Sequence, residues 1–316
     1  MRANESAPTS VIEPCGVLLL NKPSGATSHD MVYRVRRLFN TRRVGHTGTL
    51  DPMATGVLVV LVGRAAKASE FVAHDTKGYR ATLRLGLVTD TEDSTGRILA
   101  TTPVDKLPSE EQVREVCQRF TGEIKQIPPM FSALKVGGQK LCDLARKGKT
   151  IEREARSITV YELSVKTAAL PSDYTLSLTC SGGTYVRTLC ADIGTELGCG
   201  GVMATLERTE TGGFPLKDCY TTERLQDMTY EERLSCLLPV ETLFADWDSV
   251  SLPNFYYNLC RNGCEIYQNR IGTAFPVGTR LRLCDEEGNF FATGEVLDFP
   301  EVGATAIKAT RLFVLS

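Results

Sequence analysis

Histidine is scarce in this chain, with only His29, His46 and His74, and tryptophan occurs once. The eleven cysteines are odd in number and contain no Cys-x-x-Cys pair, and Cys260 and Cys264 have no histidine near them. That pattern suits neither a zinc site nor a disulfide framework, so buried thiols in a reducing compartment are expected. Long apolar runs are missing too. The longest, Val17–Leu20 and Val57–Val62, fall far short of the roughly 20 residues that span a bilayer. Met1–Ser10 is polar and lacks the apolar core of a secretory leader, which predicts a soluble, cytoplasmic protein with no membrane partner. No Gly-Lys-Ser/Thr follows a glycine loop, and no Gly-x-Gly-x-x-Gly opens a helix, so the standard nucleotide loops are absent.

What is present is ordinary globular material: 316 residues, 42% hydrophobic and 23% charged, enough to bury a core without covalent staples. Net charge is −2, yet it is unevenly spread. Arg34, Arg36, Arg37, Arg42 and Arg43 crowd the stretch 31–45 with no acid among them. Seven basic residues oppose three acids over 135–156, whereas ten acids oppose four bases over 205–250. A near-neutral chain divided in this way can hold a polyanion on one face; solvated helix surfaces would give the same runs.

Gly16–Leu20 reads as a buried strand, with a turn forced over Asn21-Lys22-Pro23-Ser24-Gly25. Thr27 or Ser28 caps a helix whose apolar stripe is Met31, Val32, Val35, Leu38 and Phe39. Ser109-Glu110-Glu111-Gln112 is a capping box for a second helix that stops at Gly122. Tyr79–Leu87, Ile158–Val165 and Tyr174–Cys180 are strand candidates, and Leu189, Ile193 and Leu197 mark another helix. Pro128 to Lys149 is a long basic excursion. Beyond Pro253, two apolar runs joined by Glu286-Glu287-Gly288-Asn289 form a hairpin in a small β-rich module. Mixed elements without a βαβ rhythm predict an α+β fold.

Two segments concentrate chemistry. In the first, 45–56, Asp51 is followed by Pro52 and sits among glycines and threonines just before an apolar strand. A carboxylate on such a stiff loop suits a nucleophile or general base, though an Asp accepting turn hydrogen bonds has the same sequence appearance. In the second, Gly182-Gly183 breaks the chain before Tyr185 and Arg187. Arg187 could hold Asp51 ionised and in place, while Tyr185 either lines a pocket or packs in the core. Asp90–Gly96 reads as a polar hairpin turn.

The Gly16–Gly25 segment, the His46–Gly56 loop, Lys77-Gly78-Tyr79-Arg80, Ile127–Lys135, Arg153–Arg156 and Gly183–Leu189 together resemble the TruB family of tRNA pseudouridine-55 synthases, in order and spacing. The likeness runs from about Cys15 to Arg208 and weakens beyond Val250. It implies a pseudouridine synthase fold with a mixed central sheet and a PUA-like C-terminal domain. The implied boundaries are a flexible N-terminus at 1–14, a catalytic domain at 15–249 with a basic insertion at about 126–153 that closes on RNA, and the C-terminal domain at 250–316. It further implies isomerisation of a tRNA T-loop uridine with no metal or cofactor, by a monomer whose partner is the T-stem-loop.

By the same resemblance Asp51 initiates cleavage of the glycosidic bond, and Tyr79 stacks on the base and serves as general base. Arg187 pairs with Asp51, and Asp93 joins their network. Tyr185 and Leu206 line the base pocket, His46 occupies space near the flipped nucleotides, and Lys22 and Pro23 support the pocket. A lysine common before Gly-Thr-Tyr in the family is Gly182 here. Two other readings stand beside this one: a non-catalytic RNA-binding or tRNA-folding protein on the same scaffold, and a metal-free hydrolase using His46 and Asp51.

Overall fold

The computed structural model describes residues 13–72 and 76–313. Most of the expected N-terminal segment, and His74, lie outside the described residues.

Strands β1 (Gly16–Lys22), β2 (Val44–His46), β3 (Thr55–Val62) and β4 (Lys77–Leu85) come first along the chain. A hairpin of β5 (Leu87–Thr89) and β6 (Ile98–Thr101) follows, then β7 (Gly122–Gln126) and a small hairpin of β8 (Lys135–Val136) and β9 (Gln139–Lys140). Next come β10 (Arg156–Thr167), β11 (Asp173–Cys180), β12 (Gly201–Thr211) and β13 (Phe214–Pro215). One sheet runs β1-β3-β12-β4-β11-β10-β7, with β2 added on β3 and β13 on β12. Every pairing in it is antiparallel except β3 with β12, so the sheet is mixed, as the family resemblance implies.

The parallel junction depends on Gly56. Its φ of 102° is in the left-handed region, and a Cβ there would lie 2.2 Å from the Arg208 carbonyl oxygen. Only glycine lets the two strands meet at this point. β12 escapes the sequence reading because its alternation is broken twice, by register shifts at Met203/Thr205 and at Arg208/Glu210.

Helix α1 (Ser28–Leu38) begins as its residues predict: Thr27 caps it, and Thr27 and Asp30 bond each other's backbone N–H. Met31, Val32, Val35 and Phe39 are buried against β1 and β3. Helices α2 (Glu110–Arg119) and α4 (Val186–Glu196) cover the core formed by β4, β10, β11 and β12. Between them the basic excursion contains, besides its small hairpin, α3 (Leu141–Arg146). Two expectations shift by a few residues. β1 continues through Lys22, because Asn21 N–H still finds the Tyr220 carbonyl at 2.9 Å, and the turn falls at Ser24-Gly25. β4 stops at Leu85, because Gly86 at φ 82° breaks it.

A second sheet follows, ordered β14 (Asp248–Ser251), β16 (Arg280–Cys284), β17 (Phe290–Phe299), β18 (Ala304–Leu312), β15 (Ile266–Tyr267). It meets the first region through rings of Phe71, Phe244, Trp247, Phe290 and Phe313, with centroids 4.9–5.9 Å apart. The eleven cysteines are all free, and most are buried; Cys15 and Cys264 are exposed, against the expectation for them. No helix among the described residues is long and apolar enough to cross a membrane.

Candidate active site

Asp51 sits in the loop between β2 and β3, and the segment before α1 fastens that loop from one side. Lys22 is fully buried, and its ammonium donates to the carbonyls of Pro23 (2.9 Å), Ala26 (2.7 Å) and Pro52 (3.2 Å). Burial brings its pKa down to about 8, with the charge of Asp51 acting the other way. Gly25 N–H also donates to the Pro52 carbonyl, at 2.8 Å. Ser28 Oγ accepts from Leu50 N–H at 2.9 Å and donates to the Leu50 carbonyl at 3.2 Å. The chain on both sides of Asp51 is therefore held by hydrogen bonds, and the carboxylate, one-third exposed, is left facing outward.

Arg187 arrives from the first turn of α4. No side chain caps that helix at Tyr185. Instead the buried amide of Gln126, at the end of β7, takes both backbone groups of Tyr185: Oε1 accepts from its N–H at 2.9 Å and Nε2 donates to its carbonyl at 3.0 Å. Removing that amide leaves the Tyr185 N–H unpaired, while its carbonyl keeps the Leu189 N–H at 3.0 Å. Gln126→Ala is expected to cost about 2 kcal/mol of stability, read as a lower urea midpoint; an unchanged midpoint would show that the clamp contributes nothing.

The Arg187 guanidinium, 4% exposed, meets Asp51 side-on, with Nε to Oδ2 at 2.7 Å and Nη2 to Oδ1 at 3.2 Å. Two parallel N–H bonds fix the plane of the carboxylate as well as its position. Two more donors are occupied, one on Nη1 by the Thr91 carbonyl at 3.1 Å and one on Nη2 by the Phe131 carbonyl at 3.0 Å. Asp93 lies 4.0 Å from Nε, and its Oδ1 accepts from Thr91 Oγ1, Thr95 N–H and Thr95 Oγ1. The 90–96 segment is thus more than a polar turn, because it forms one wall of the arginine's site.

Tyr79 on β4 is buried and pairs in register with Arg208 on β12 and with Leu178 on β11. Burial pushes its phenol pKa up, while the Arg208 cation pulls it down. Arg208 is almost completely buried, donating Nε to the Val57 carbonyl at 2.7 Å and Nη2 to the Gly48 carbonyl at 3.2 Å. Leu206, two residues earlier on the same strand, is buried opposite Ala81. Period-two alternation from Leu206 to Arg208 was the available sequence signal for this arginine, but a charged residue beside Glu207 reads as surface.

Asp51 thus meets Arg187; Tyr79 and Leu206 lie in one buried cluster with Leu50 and Val186, and Lys22 ties Pro23 to the loop at Pro52. Tyr185 is half-buried at the start of α4. His46, at the end of β2, is coupled to Arg208 and His29 rather than to Asp51; burial lowers its pKa, and its buried Nδ1 has no partner among the described residues. No bond joins His46 to Asp51 among the described residues, and both Asp51 oxygens accept from Arg187.

Two acids lie behind the arginine. Asp192, one turn after Thr188 on α4, has its pKa raised to about 6 by burial and then by the charge of Glu92. An acid whose folded pKa exceeds its unfolded one favours folding below the unfolded value and loses that contribution as pH rises through the folded one. For Asp192 this window is pH 4 to 6. Asp192→Asn is therefore expected to raise Tm at pH 7.5, on the order of 2 °C, with the gain shrinking toward pH 4.5. An equal effect at both pH values would show that Asp192 does not titrate in that window.

Of the basic runs, Arg34 bonds Thr222, Arg36 the Val44 carbonyl and Arg43 Glu13, while Arg37 and Arg42 are exposed. Lys135, Lys140 and Lys147 line a cleft of about 350 Å³ in the excursion.

Comparison with known proteins gives a consistent picture. The family description "TruB family pseudouridylate synthase (N terminal domain)" matches residues 36–186, and "tRNA pseudouridylate synthase B C-terminal domain" matches 187–245. The chain is similar to tRNA pseudouridine synthase B of Clostridium tetani, 39% identical over 89% of this chain and 95% of that protein. It is similar also to tRNA pseudouridine synthase B of Alkaliphilus oremlandii, 44% identical over 80% of this chain and 83% of that one. Among solved structures, a chain of a Cbf5-Nop10-Gar1 complex superposes with a TM-score of 0.71 at 22% identity, covering 98% of this chain and 92% of that chain. At that identity the superposition shows a shared fold.

Proposed function

Since this chain belongs to the TruB family of pseudouridylate synthases, we propose that it converts uridine 55 in the T-loop of tRNA to pseudouridine, with Asp51 as the residue that opens the C1′–N1 bond. The observation that carries the assignment of Asp51 is its side-on pair with the buried Arg187 guanidinium, beside a buried cluster that holds Leu50, Tyr79 and Leu206. The reaction is an isomerisation. C1′–N1 breaks, the uracil turns, C1′–C5 forms, the C5 proton leaves and N1 gains one.

The target uridine lies stacked in a folded loop, so it must be extruded, at a cost of a few kcal/mol that stacking on the Tyr79 ring and contact with Leu206 offset in part. Glycosidases generally use two carboxylates, one of which protonates the departing group. Here the base is retained in the site, and one carboxylate suffices. Whether Asp51 adds to the sugar or takes the C2′ proton, its ionised form is the reactive one, and the arginine fork presents it in one orientation.

Tyr79 is the residue we assign to the C5 proton as well as to stacking. Its buried phenol favours the protonated state, and the Arg208 cation behind it lowers the cost of phenolate. Tyr79→Phe keeps the ring and removes the acceptor, so product formation is expected to stop while tRNA binding persists; wild-type turnover would remove the base role. The half-buried Tyr185 and the neutral imidazole favoured at His46 are placed against nucleotides around the target. Phosphates of the T-stem are assigned to Arg37 and Arg42 and to the lysine cleft of the 126–153 insertion, whose contacts position the RNA while the pocket selects the base. The 250–316 segment is assigned as a PUA-like accessory surface for RNA. Action as a monomer is part of the same proposal, taken from the family resemblance, and the tRNA substrate supports a cytoplasmic location.

The test uses an unmodified tRNA transcript carrying tritium at uridine C5. Release that is lost in Asp51→Asn, and lost again when uridine 55 is replaced, supports reaction, residue and target together. No release from folded protein that still binds tRNA would replace the proposal with an RNA-binding role.

A further inference from the structure

Glu92 is one of two non-glycine residues with positive φ among the described residues, at 63°. Left-handed backbone is costly for a residue with a long side chain and persists only where its surroundings hold it. Here they do. Met203 N–H donates to the Glu92 carbonyl at 3.1 Å, and Ser94 N–H to the Met203 carbonyl at 3.0 Å, so the turn is stitched to β12. On the other side Thr188 Oγ1 donates to Glu92 Oε2 at 2.6 Å, fastening the same turn to the first turn of α4. The residue before Glu92 supplies the carbonyl that accepts from Arg187 Nη1, and the residue before Thr188 is Arg187 itself. The Glu92–Thr188 bond thus runs parallel to the Thr91–Arg187 bond and joins the same two segments.

We propose that Glu92 is a positioning residue for the isomerisation: by holding Thr188 it sets the distance between the 89–95 turn and α4, and so aims the Arg187 fork at Asp51. Glu92 touches neither Asp51 nor the pocket residues; it acts through Thr188 and the turn. The charged groups around it are Arg187, Arg153, Asp93 and Asp192. The acceptor function, rather than the charge, is what the geometry uses, and an amide oxygen can provide it. The sequence does not reveal this role, because an acid inside Asp90–Gly96 reads as one more solvated turn residue.

The inference rests on Asp51 and Arg187 being the reacting pair, and the experiment separates the two ideas. Single-turnover tritium release at saturating enzyme, tRNA Kd and Tm are measured for Glu92→Ala, Glu92→Gln, Thr188→Val, the Glu92→Ala/Thr188→Val double variant and Asp51→Asn. Alanine and glutamine meet the same left-handed backbone, so their comparison isolates the side chain. Glu92→Ala and Thr188→Val are each expected to slow the chemical step about tenfold with Kd within about threefold of wild type, and the double variant is expected to be no slower than either, as for two ends of one interaction. Glu92→Gln is expected to stay within about threefold of wild type, a rescue that a purely charge-based role would not show.

Wild-type single-turnover rates in Glu92→Ala and Thr188→Val overturn the proposal. Equal losses in Glu92→Gln and Glu92→Ala overturn it, as does a weakened Kd with unchanged chemistry. Should Glu92→Ala fail to fold, Thr188→Val and Glu92→Gln decide by the same criteria. Turnover by Asp51→Asn would instead bring down the assignment of the site; a silent Asp51→Asn beside a fully active Glu92→Ala sinks this proposal alone.

Discussion

Asp51→Asn is expected to abolish pseudouridine formation while tRNA affinity changes by less than tenfold, about 1.4 kcal/mol. The substitution keeps the size of the side chain, and the loop that carries it is held by bonds that do not involve it, from Lys22 and Gly25 to the Pro52 carbonyl and between Ser28 and Leu50. The proposed phosphate contacts, which would dominate tRNA affinity, involve other residues. What is lost is the negative oxygen to which the proposed reaction assigns the attack. Single-turnover tritium release and filter binding on the same preparation give both numbers. A large binding loss would make Asp51 a structural residue, and residual turnover would place the reacting carboxylate at another position.

Arg187→Ala is expected to be nearly as damaging and less clean. Its guanidinium is buried and joins three segments that are far apart in sequence, through Asp51, the Thr91 carbonyl and the Phe131 carbonyl. Deleting one member of a buried pair costs about 3–5 kcal/mol, and Asp51, being one-third exposed, brings the figure to the lower end. Part of the loss should appear as a reduced Tm and part as a slower chemical step, because two carbonyls lose their donor and the carboxylate loses its orientation. Arg187→Lys restores charge without the planar fork, so it should recover stability more than rate. A rate in Arg187→Ala within a few fold of wild type would mean that the pair serves folding only.

How far the sequence carried differs from element to element. α1 and α2 were legible because caps and apolar spacing are local: Thr27 with Asp30, and Ser109 with Gln112, lie three residues apart and need no distant partner. The Asp51 loop was legible by resemblance, since a run of unusual residues in fixed order is itself the signal. Arg208 was not. A buried arginine is stable only when carbonyls are present to receive it, and those of Val57 and Gly48 are supplied by a strand and loop about 150 residues earlier, 151 and 160 positions away. The Gln126 clamp on Tyr185 and the Thr91 and Phe131 carbonyls on Arg187 were hidden for a related reason, because every residue carries a backbone carbonyl and residue type says nothing about which one is used.

The sequence by itself determined the α+β class, the capped helices, the thiols without partners and the presence of one aspartate in a setting that marks it out. Only the tertiary structure decided that the expected Asp51–Arg187 pair is a side-on fork backed by the Thr91 and Phe131 carbonyls, that β3 and β12 touch at Gly56, and that an acid at 92 bonds the helix that carries the arginine. Local pattern is fixed by neighbours along the chain. A reactive site is fixed by which distant groups can share one buried volume with every donor and acceptor paired, and that condition is met only once the whole sheet has closed.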